Sequence, residues 1–409
     1  MPVGKTYSEH SESGHLDNPL PRRSARKHSH VFVILLAAGC LTTMTGGVVS
    51  PVLPEMVQQL QFDPRWAGML VSVHALAIAV FTPIMGILAD RIGKLKVMIP
   101  ALLCYALFGV AGAFLPNFGA LLATRALLGI SSGGIAAASI GLLGNLYEGE
   151  ERSRILGFAT SAMTTASIMF PLLGGWVGRD HWQHAFYLYG FGIPLAIIAA
   201  IGLRQPRSPH TSVGGGGQRD QLLRALRQPG IIQIYLLLAS AAMIVYAVVI
   251  YTPLYLKAAI GAGPELNGLV LAVRGMGAAT VSALLAARVA SRLGSRQAIA
   301  IGFSLMAVTV GTIPLLNQIS SIIPVAVLFG AGFGIITPNA YNSLANLSHP
   351  SVRASVLAIG TGFNSLGQFI SPLILGPLWK YSGLPLVFYV TAAIAISTAG
   401  LSLMRRQTE

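Results

Sequence analysis

Charge is what this chain lacks most. Only 10% of its 409 residues are charged, against roughly 25% in a soluble domain, which excludes an ordinary globular fold. Of these charges 13 are acidic, and none of the 13 lies in the middle of a long apolar run. Cysteine is reduced to Cys40 and Cys104, both inside apolar runs. Two isolated thiols exclude a disulfide framework and a metal site and read as packing residues. Histidine is as dispersed, so the nucleophile or metal constellation of a membrane enzyme cannot be assembled. No phosphate-binding P-loop is present, and no polar stretch is long enough to form a nucleotide-binding domain. No cofactor is expected.

What the chain has instead is apolar length. Hydrophobic residues make up 54% of it, in runs longer than the ~18 residues that span a bilayer. The runs predict spans at 31–53, 67–89, 97–115, 119–146, 155–177, 184–203, 230–256, 265–287, 297–315, 319–346, 354–379 and 384–404. The net charge of +14 does not point to nucleic acid, because of where it sits. Arg65, Arg179, Lys257 and Lys380 fall in loops on one side, and Arg125 and Arg274 fall inside spans. Every other Lys and Arg of the 27 falls on the side of the two termini. That asymmetry is the positive-inside rule, and it predicts a multi-pass protein of the inner (plasma) membrane with both ends cytoplasmic.

Residues 1–30 read as a disordered basic cytoplasmic tail ahead of an uncleaved first helix. Its Arg22, Arg23, Arg26 and Lys27 suit topology and anionic headgroups. Residues 31–203 and 230–404 form two six-helix halves, and 405–409 a second cytoplasmic tail. Between the halves, 204–229 is a cytoplasmic Gly/Arg-rich linker. Its Gly214 to Gly217 run is a flexible connector, and Arg219 to Gln228 has the pattern of a short amphipathic helix.

One stretch stands apart: Gly86-Ile-Leu-Ala-Asp90-Arg91-Ile-Gly93-Lys94-Leu-Lys96. Charges this dense beside a span belong at the water boundary. The stretch recurs in degraded form at Arg288 to Arg296, and Gly93 and Gly294 differ by 201 positions. The same offset pairs Arg91 with Arg292, Gly129 with Gly330, Gly133 with Gly334, Asn145 with Asn346, Arg152 with Arg353 and Pro171 with Pro372. One ungapped offset across four spans implies a parallel duplication, with the symmetry axis along the membrane normal.

These residues resemble the major facilitator superfamily, and within it the twelve-span drug:H+ antiporter group. Gly86 to Lys96 matches the pattern G-x-L-A-D-R-x-G-[KR]-x-[KR] that follows the second helix there. Arg125, Gly129 and Gly133 are similar to the group's R-x-x-x-G motif. Pro171-Leu-Leu-Gly174-Gly175 is similar to the end of G-x-x-x-G-P-x-x-G-G, with Ala166 and Phe170 in place of its first glycines. The resemblance implies an all-α integral membrane protein of twelve helices, in two halves related by pseudo-two-fold symmetry. It also implies that Gly86, Asp90, Arg91, Gly93 and Lys94 form a conformational switch that latches the halves in the outward-open state. Gly86 and Gly93 would allow close helix approach and a tight turn. Pro171, Gly174, Gly175 and Pro372 would bend helices five and eleven and seal against leak.

Cargo rests on thinner signals. Antiporters of cationic drugs often carry a cavity carboxylate. Here the first helix reads Thr42-Thr43-Met44-Thr45-Gly46-Gly47 at the expected place. The charges inside the spans are Arg125 and Arg274. An unpaired guanidinium favours a carboxylate or phosphate, so both are candidate ligands for an anionic substrate. Against this, Arg125 can brace backbone carbonyls and Arg274 can snorkel to water. His74 is the interior group that titrates near neutral pH. With Arg125 it is a candidate for proton coupling, unless it is simply a hydrogen-bonded packing residue. Tyr246, Tyr251, Asn339, Tyr341, Asn342, Asn364 and Gln368 are candidate cavity residues. The expected function is a proton-coupled exporter of a small organic molecule, acting as a monomer by rocker-switch alternating access. The alternative is an organic-anion uniporter, symporter or exchanger without a dedicated proton carboxylate. A non-transporting receptor would need added soluble domains, and none is visible.

Overall fold

A computed structural model describes residues 22–147, 149–203 and 216–404. Twelve long helices run through it: α1 (Arg22–Gly47), α2 (Met69–Ile92), α3 (Lys94–Ala111), α4 (Phe118–Leu146), α5 (Gly149–Val177), α6 (Trp182–Gly202, with a 3-10 turn at Leu188–Phe191), α7 (Pro229–Ile260), α8 (Pro264–Leu284), α9 (Ser295–Thr312), α10 (Ile319–Leu347), α11 (Arg353–Ser382) and α12 (Leu384–Leu403). No strand occurs among the described residues. Eleven of these segments are long and apolar enough to cross a membrane. α11 has the length, 30 residues, but Thr361, Asn364, Ser365, Gln368 and Ser371 lower its apolar character. The chain is an all-α multi-pass membrane protein of twelve helices in two six-helix halves.

An even number of crossings puts both ends of the helical array on one face, called here the termini face; the other is the distal face. α1 starts at Arg22, ahead of the expected span. Residues 1–21, 204–215 and 405–409, with most of the expected tails and part of the linker, lie outside the described residues. Within the linker Gly216–Leu226 is helical, and Ser351 Oγ donates to Gln221 Oε1 at 2.6 Å, tying it to the turn before α11. Local chemistry sets the other boundaries. Asn117 caps α4 by accepting from the Gly119 amide at 2.8 Å, and Asp63 caps the short turn Pro64–Ala67 through the Arg65 amide at 3.0 Å.

The two halves repeat one packing scheme. α4 lies against α2 and α3, and α10 against α8 and α9. Glycines make the α4–α2 and α10–α8 contacts possible. A Cβ on Gly129 would stand 2.5 Å from the His74 carbonyl oxygen, and one on Gly133 2.9 Å from Thr82 Oγ1. The paired Gly330 and Gly334 would drive into the carbonyls of Arg274 and Ala278. Bare backbone at these four positions lets the helices touch.

The charged turn repeats in conformation as well as in sequence. Gly93 has φ 109° and ψ 136°, and Gly294 has φ 87° and ψ 151°. Side chains rarely adopt either, so the tight-turn expectation for Gly93 holds. Gly86 differs from its expectation. A Cβ there would meet only the Ala137 Cβ at 4.0 Å, an ordinary contact, so it supplies no close helix approach. Gly93→Ala and Gly294→Ala should each destabilise the protein by about 1–3 kcal/mol. Gly157→Ala, where nothing lies within 4 Å, should be neutral or better. Thermal unfolding of the purified variants in detergent checks this.

Candidate functional site

The halves meet at the distal face. Two crossings make the closest contacts. At the first, a Cβ on Gly175 of α5 would overlap the Pro264 carbonyl oxygen of α8, and one on Gly268 would stand 2.5 Å from the Pro171 carbonyl oxygen. At the second, a Cβ on Gly376 of α11 would overlap the Arg65 carbonyl oxygen, and one on Gly68 would stand 2.8 Å from the Pro372 Cβ. Pro171 and Gly175 correspond to Pro372 and Gly376 by the offset of 201. The crossings are therefore two copies of one device. Gly174 packs inside the first half, 2.6 Å from the Val48 carbonyl oxygen by the same measure.

Ion pairs surround these crossings. Lys257 Nζ lies 3.1 Å from Glu55 Oε1, Lys380 Nζ 2.8 Å from Asp63 Oδ2, and Arg179 Nη1 3.4 Å from Glu265 Oε1. Each joins one half to the other. Asn267 Nδ2 adds a bond to the Pro51 carbonyl at 3.3 Å, also across the seam. The Lys380 ammonium, with the Arg65 amide behind it, holds the Asp63 carboxyl at about 2. A depressed acid contributes stability that is complete above its ordinary value and is lost only as pH falls through about 2. This pair therefore stays ionised at neutral and mildly acidic pH. Toward the termini face the picture reverses. Thr160, Ser161, Thr164 and Thr361 are exposed, and a Cβ on Gly157 or Gly362 would meet nothing within 4 Å. No ion pair or side-chain hydrogen bond joins the two halves on that face among the described residues.

Near the middle of the seam α1, α2 and α7 converge on one point. A Cβ on Gly46 would stand 2.8 Å from His74 Cε1 and 3.2 Å from the Tyr246 hydroxyl. The His74 and Tyr246 rings lie 6.5 Å apart, bringing a first-half imidazole to a second-half phenol. His74 is buried, and its Nδ1 has no hydrogen-bond partner. Arg274 stands in the wall of an apolar pocket within the second half, with Val248, Thr252, Val270, Val325 and Phe329. Its Nε is buried without a hydrogen-bond partner, and no carboxylate pairs with it among the described residues.

Several expected cavity residues lie elsewhere. Arg125 is 1% exposed. Its Nη2 donates to the Phe108 and Gly109 carbonyls at 3.3 and 3.1 Å, and its guanidinium lies 4.7 and 5.0 Å from the Phe186 and Tyr189 ring centres. It braces α3, α4 and α6 inside the first half, bonded to backbone carbonyls and stacked on two rings. Asn339 is 3% exposed and donates to the Ala286 and Ile335 carbonyls, capping the break where α8 ends. Tyr251 is fully buried, edge-on to Trp379 at 6.0 Å. These helices are apolar nearly all round, so periodicity did not distinguish an inward face from a face toward a neighbouring helix. Asn342 is exposed, and Asn364 Oδ1 accepts from Gln368 Nε2 at 2.8 Å, both half-buried. Tyr341 pairs with Thr361 at 3.3 Å.

The Major Facilitator Superfamily model matches residues 35–273 and again 253–409, nearly the whole chain. The chain belongs to the Major Facilitator Superfamily. It is a membrane transporter and not an enzyme. It is similar to the quinolone resistance protein NorA of Staphylococcus aureus (strain COL), 23% identical over 88% of this chain and 91% of the relative. It is also similar to the bacillibactin exporter of Bacillus subtilis (strain 168), 29% identical over 37% of this chain and 39% of the relative. Among solved structures it resembles a bacterial homologue of the human lysosomal transporter Spinster, captured inward-facing and unoccupied. There the TM-score is 0.78, with 17% identity over 92% of this chain and 96% of that one.

The superfamily's charged turn is plainly placed. Asp90 and Arg91 are exposed at the end of α2, and Lys94 Nζ crosses to α4 and donates to the Gly141 carbonyl at 2.7 Å. The distal ring went unread in the sequence, although a signal was there. The distal loops hold four bases and, in Glu55, Asp63, Asp180 and Glu265, four acids.

Gly175→Ala and Gly376→Ala test the crossings. Each forces a carbonyl aside at a cost of about 1–3 kcal/mol, which corresponds to roughly five- to a hundredfold more opening of the distal face. A cysteine at Gln368, in a background without Cys40 and Cys104, should react correspondingly faster with a membrane-impermeant thiol reagent from that side. An unchanged rate would show that the crossings are not the seal.

Proposed function

We propose that this transporter exports a small organic molecule carrying an anionic group, in exchange for protons, by rocker-switch alternating access. It would work as a monomer in the cell membrane, with the termini face in the cytoplasm. The excess of Lys and Arg on that face supports the orientation. The observation that carries the reading is the asymmetry of the seam: close glycine crossings and three ion pairs join the halves at one end, while at the other none does among the described residues and hydroxyl residues such as Thr160, Thr164 and Thr361 are exposed. Both gates are built from one chain, which supports a monomer. Two relatives whose names describe resistance and export support the outward direction.

Cargo is read from Arg274, a half-buried cation inside a span with no counter-ion among the described residues. An anionic substrate would supply the missing charge. His74 would carry the proton, at the point where first-half and second-half side chains meet. Exposed Asp90 and Arg91 would form their latch when the termini face closes. Pro171 and Pro372 would let α5 and α11 flex against the crossings. A second reading, an organic-anion carrier without proton coupling, draws on the absence of an interior carboxylate among the described residues.

Arg274→Ala should lower the affinity for an anionic substrate by about ten- to a hundredfold, the range for a charged hydrogen bond, while Arg274→Lys keeps part of it. Ligand-dependent melting shifts of the purified protein, comparing organic anions with lipophilic cations, give the readout. Anion binding unaffected by Arg274→Ala would refute the cargo assignment. In proteoliposomes an imposed pH gradient should drive uptake in the parent and fail in His74→Ala. Uptake indifferent to the gradient would favour the second reading.

A further inference from the structure

We infer that the termini face of the second half carries a binding site for one anionic glycerophospholipid. A cavity of about 520 Å³ opens there. It lies between the start of α7 (Gly230, Gln233), the turn from α8 to α9 (Gly294, Ser295, Arg296) and the ends of α10 and α12 (Asn346, Ser402). Its floor is apolar, with Ile234, Leu237, Ile299 and Leu347, and its rim is polar and basic. No acid lines it. It sits where helices end, at the depth of lipid headgroups, and its volume is within the range of ordinary ligand sites.

Comparison of the two halves explains why this corner is hollow. In the first half the corresponding turn carries Lys94, whose side chain crosses to α4 and donates to the Gly141 carbonyl at 2.7 Å. A Cβ on Gly141 would stand 3.0 Å from Lys94 Cε. In the second half Ser295 takes the place of Lys94 and is too short to cross between α9 and α10. The turn has also lost its acid, with Ser291 at the position of Asp90, while keeping Arg292 at the position of Arg91 and carrying Arg288 and Arg296 where the first half has Ile87 and Leu95. All three arginines are exposed. Every ion pair among the described residues lies at the distal face instead. The second-half turn thus carries three exposed arginines with no ion pair among the described residues, and one of them, Arg296, lines the apolar-floored cavity.

A phosphodiester with two acyl chains fits both features. Its phosphate pairs with Arg296 and Arg292, its glycerol reaches the amides and hydroxyls of Gln297, Asn346 and Ser343, and its chains lie along the apolar floor. Basic pockets between transmembrane helices recognise anionic headgroups in this way. The lipid would supply the second half with the anchor that Lys94 supplies in the first, so this turn would hold its position through the bilayer.

The test uses the purified full chain, stripped of lipid in detergent and offered phosphatidylglycerol or phosphatidylcholine, with bound lipid counted by native mass spectrometry. Phosphatidylglycerol should be retained in preference. Arg296→Gln should lower its retention about fivefold, the worth of one basic residue near an anionic surface. Ser343→Trp, which fills the cavity without removing a charge, should lower it as well. Arg152→Gln, on the same face of the first half, should leave it unchanged, and millimolar glycerol phosphate should not displace it. Retention equal to the parent's in both Arg296→Gln and Ser343→Trp would overturn the site. So would an equal loss in Arg152→Gln, and displacement by glycerol phosphate would show a phosphate-ester site in place of a lipid site.

Discussion

Two close crossings built on glycines join the halves of this transporter. Gly175 and Gly268 bring α5 against α8, and Gly376 and Gly68 bring α11 against the start of α2, each with a proline one turn away on the α5 or α11 side. No side chain can be added at Gly175 or Gly376 without moving a carbonyl. The contact is close when made and has no soft intermediate, because packed backbone resists gradual deformation. Such a contact suits the proposed gate, in which a small energetic bias would select between closed and open arrangements.

The distal ion pairs follow from this contact. Once the crossings bring the halves together, Glu55 meets Lys257, Asp63 meets Lys380 and Glu265 meets Arg179. When the crossings part, each charge returns to water, where exposed pairs contribute little. The ring therefore adds register more than strength. Charge is distributed differently elsewhere in the molecule. Within the spans the described residues place the guanidinium groups of Arg125 and Arg274, neither paired with a carboxylate. The termini face keeps an acid in the first-half turn and only arginines in its second-half copy. The two turns share a backbone conformation but differ in chemistry: Lys94 ties the first to α4, and Ser295 stands in its place in the second.

The repeat was legible in the residues because it is a matter of register: an offset of 201 that pairs Gly93 with Gly294 also pairs two unusual backbone conformations. The same register pairs Pro171 with Pro372, whose carbonyl and side chain lie in the crossings. Orientation inside the bundle was less legible. Arg125 and Asn339 both looked like cavity residues, but both satisfy backbone carbonyls within their own half. A helix surrounded by other helices has no polar side to read. α11 shows the reverse. Its Asn364, Gln368 and Thr361 make it too polar for a simple hydropathy criterion, and they lie on a helix of the seam. The distal ring was hidden for another reason. Its partners are distant in sequence, and only the fold makes them neighbours.

Distances across both faces, measured in the same molecules, test the central claim most directly. Spin labels at Gln58 and Ala258 report the distal face, and labels at Arg91 and Arg292 report the termini face. All four sites are exposed. The account predicts two populations for each pair, with a short distal distance whenever the termini distance is long and the reverse, and a balance that shifts with substrate. A distal distance that stays single and short while the termini distance varies would contradict it, because the crossings would then be a fixed hinge and not a gate.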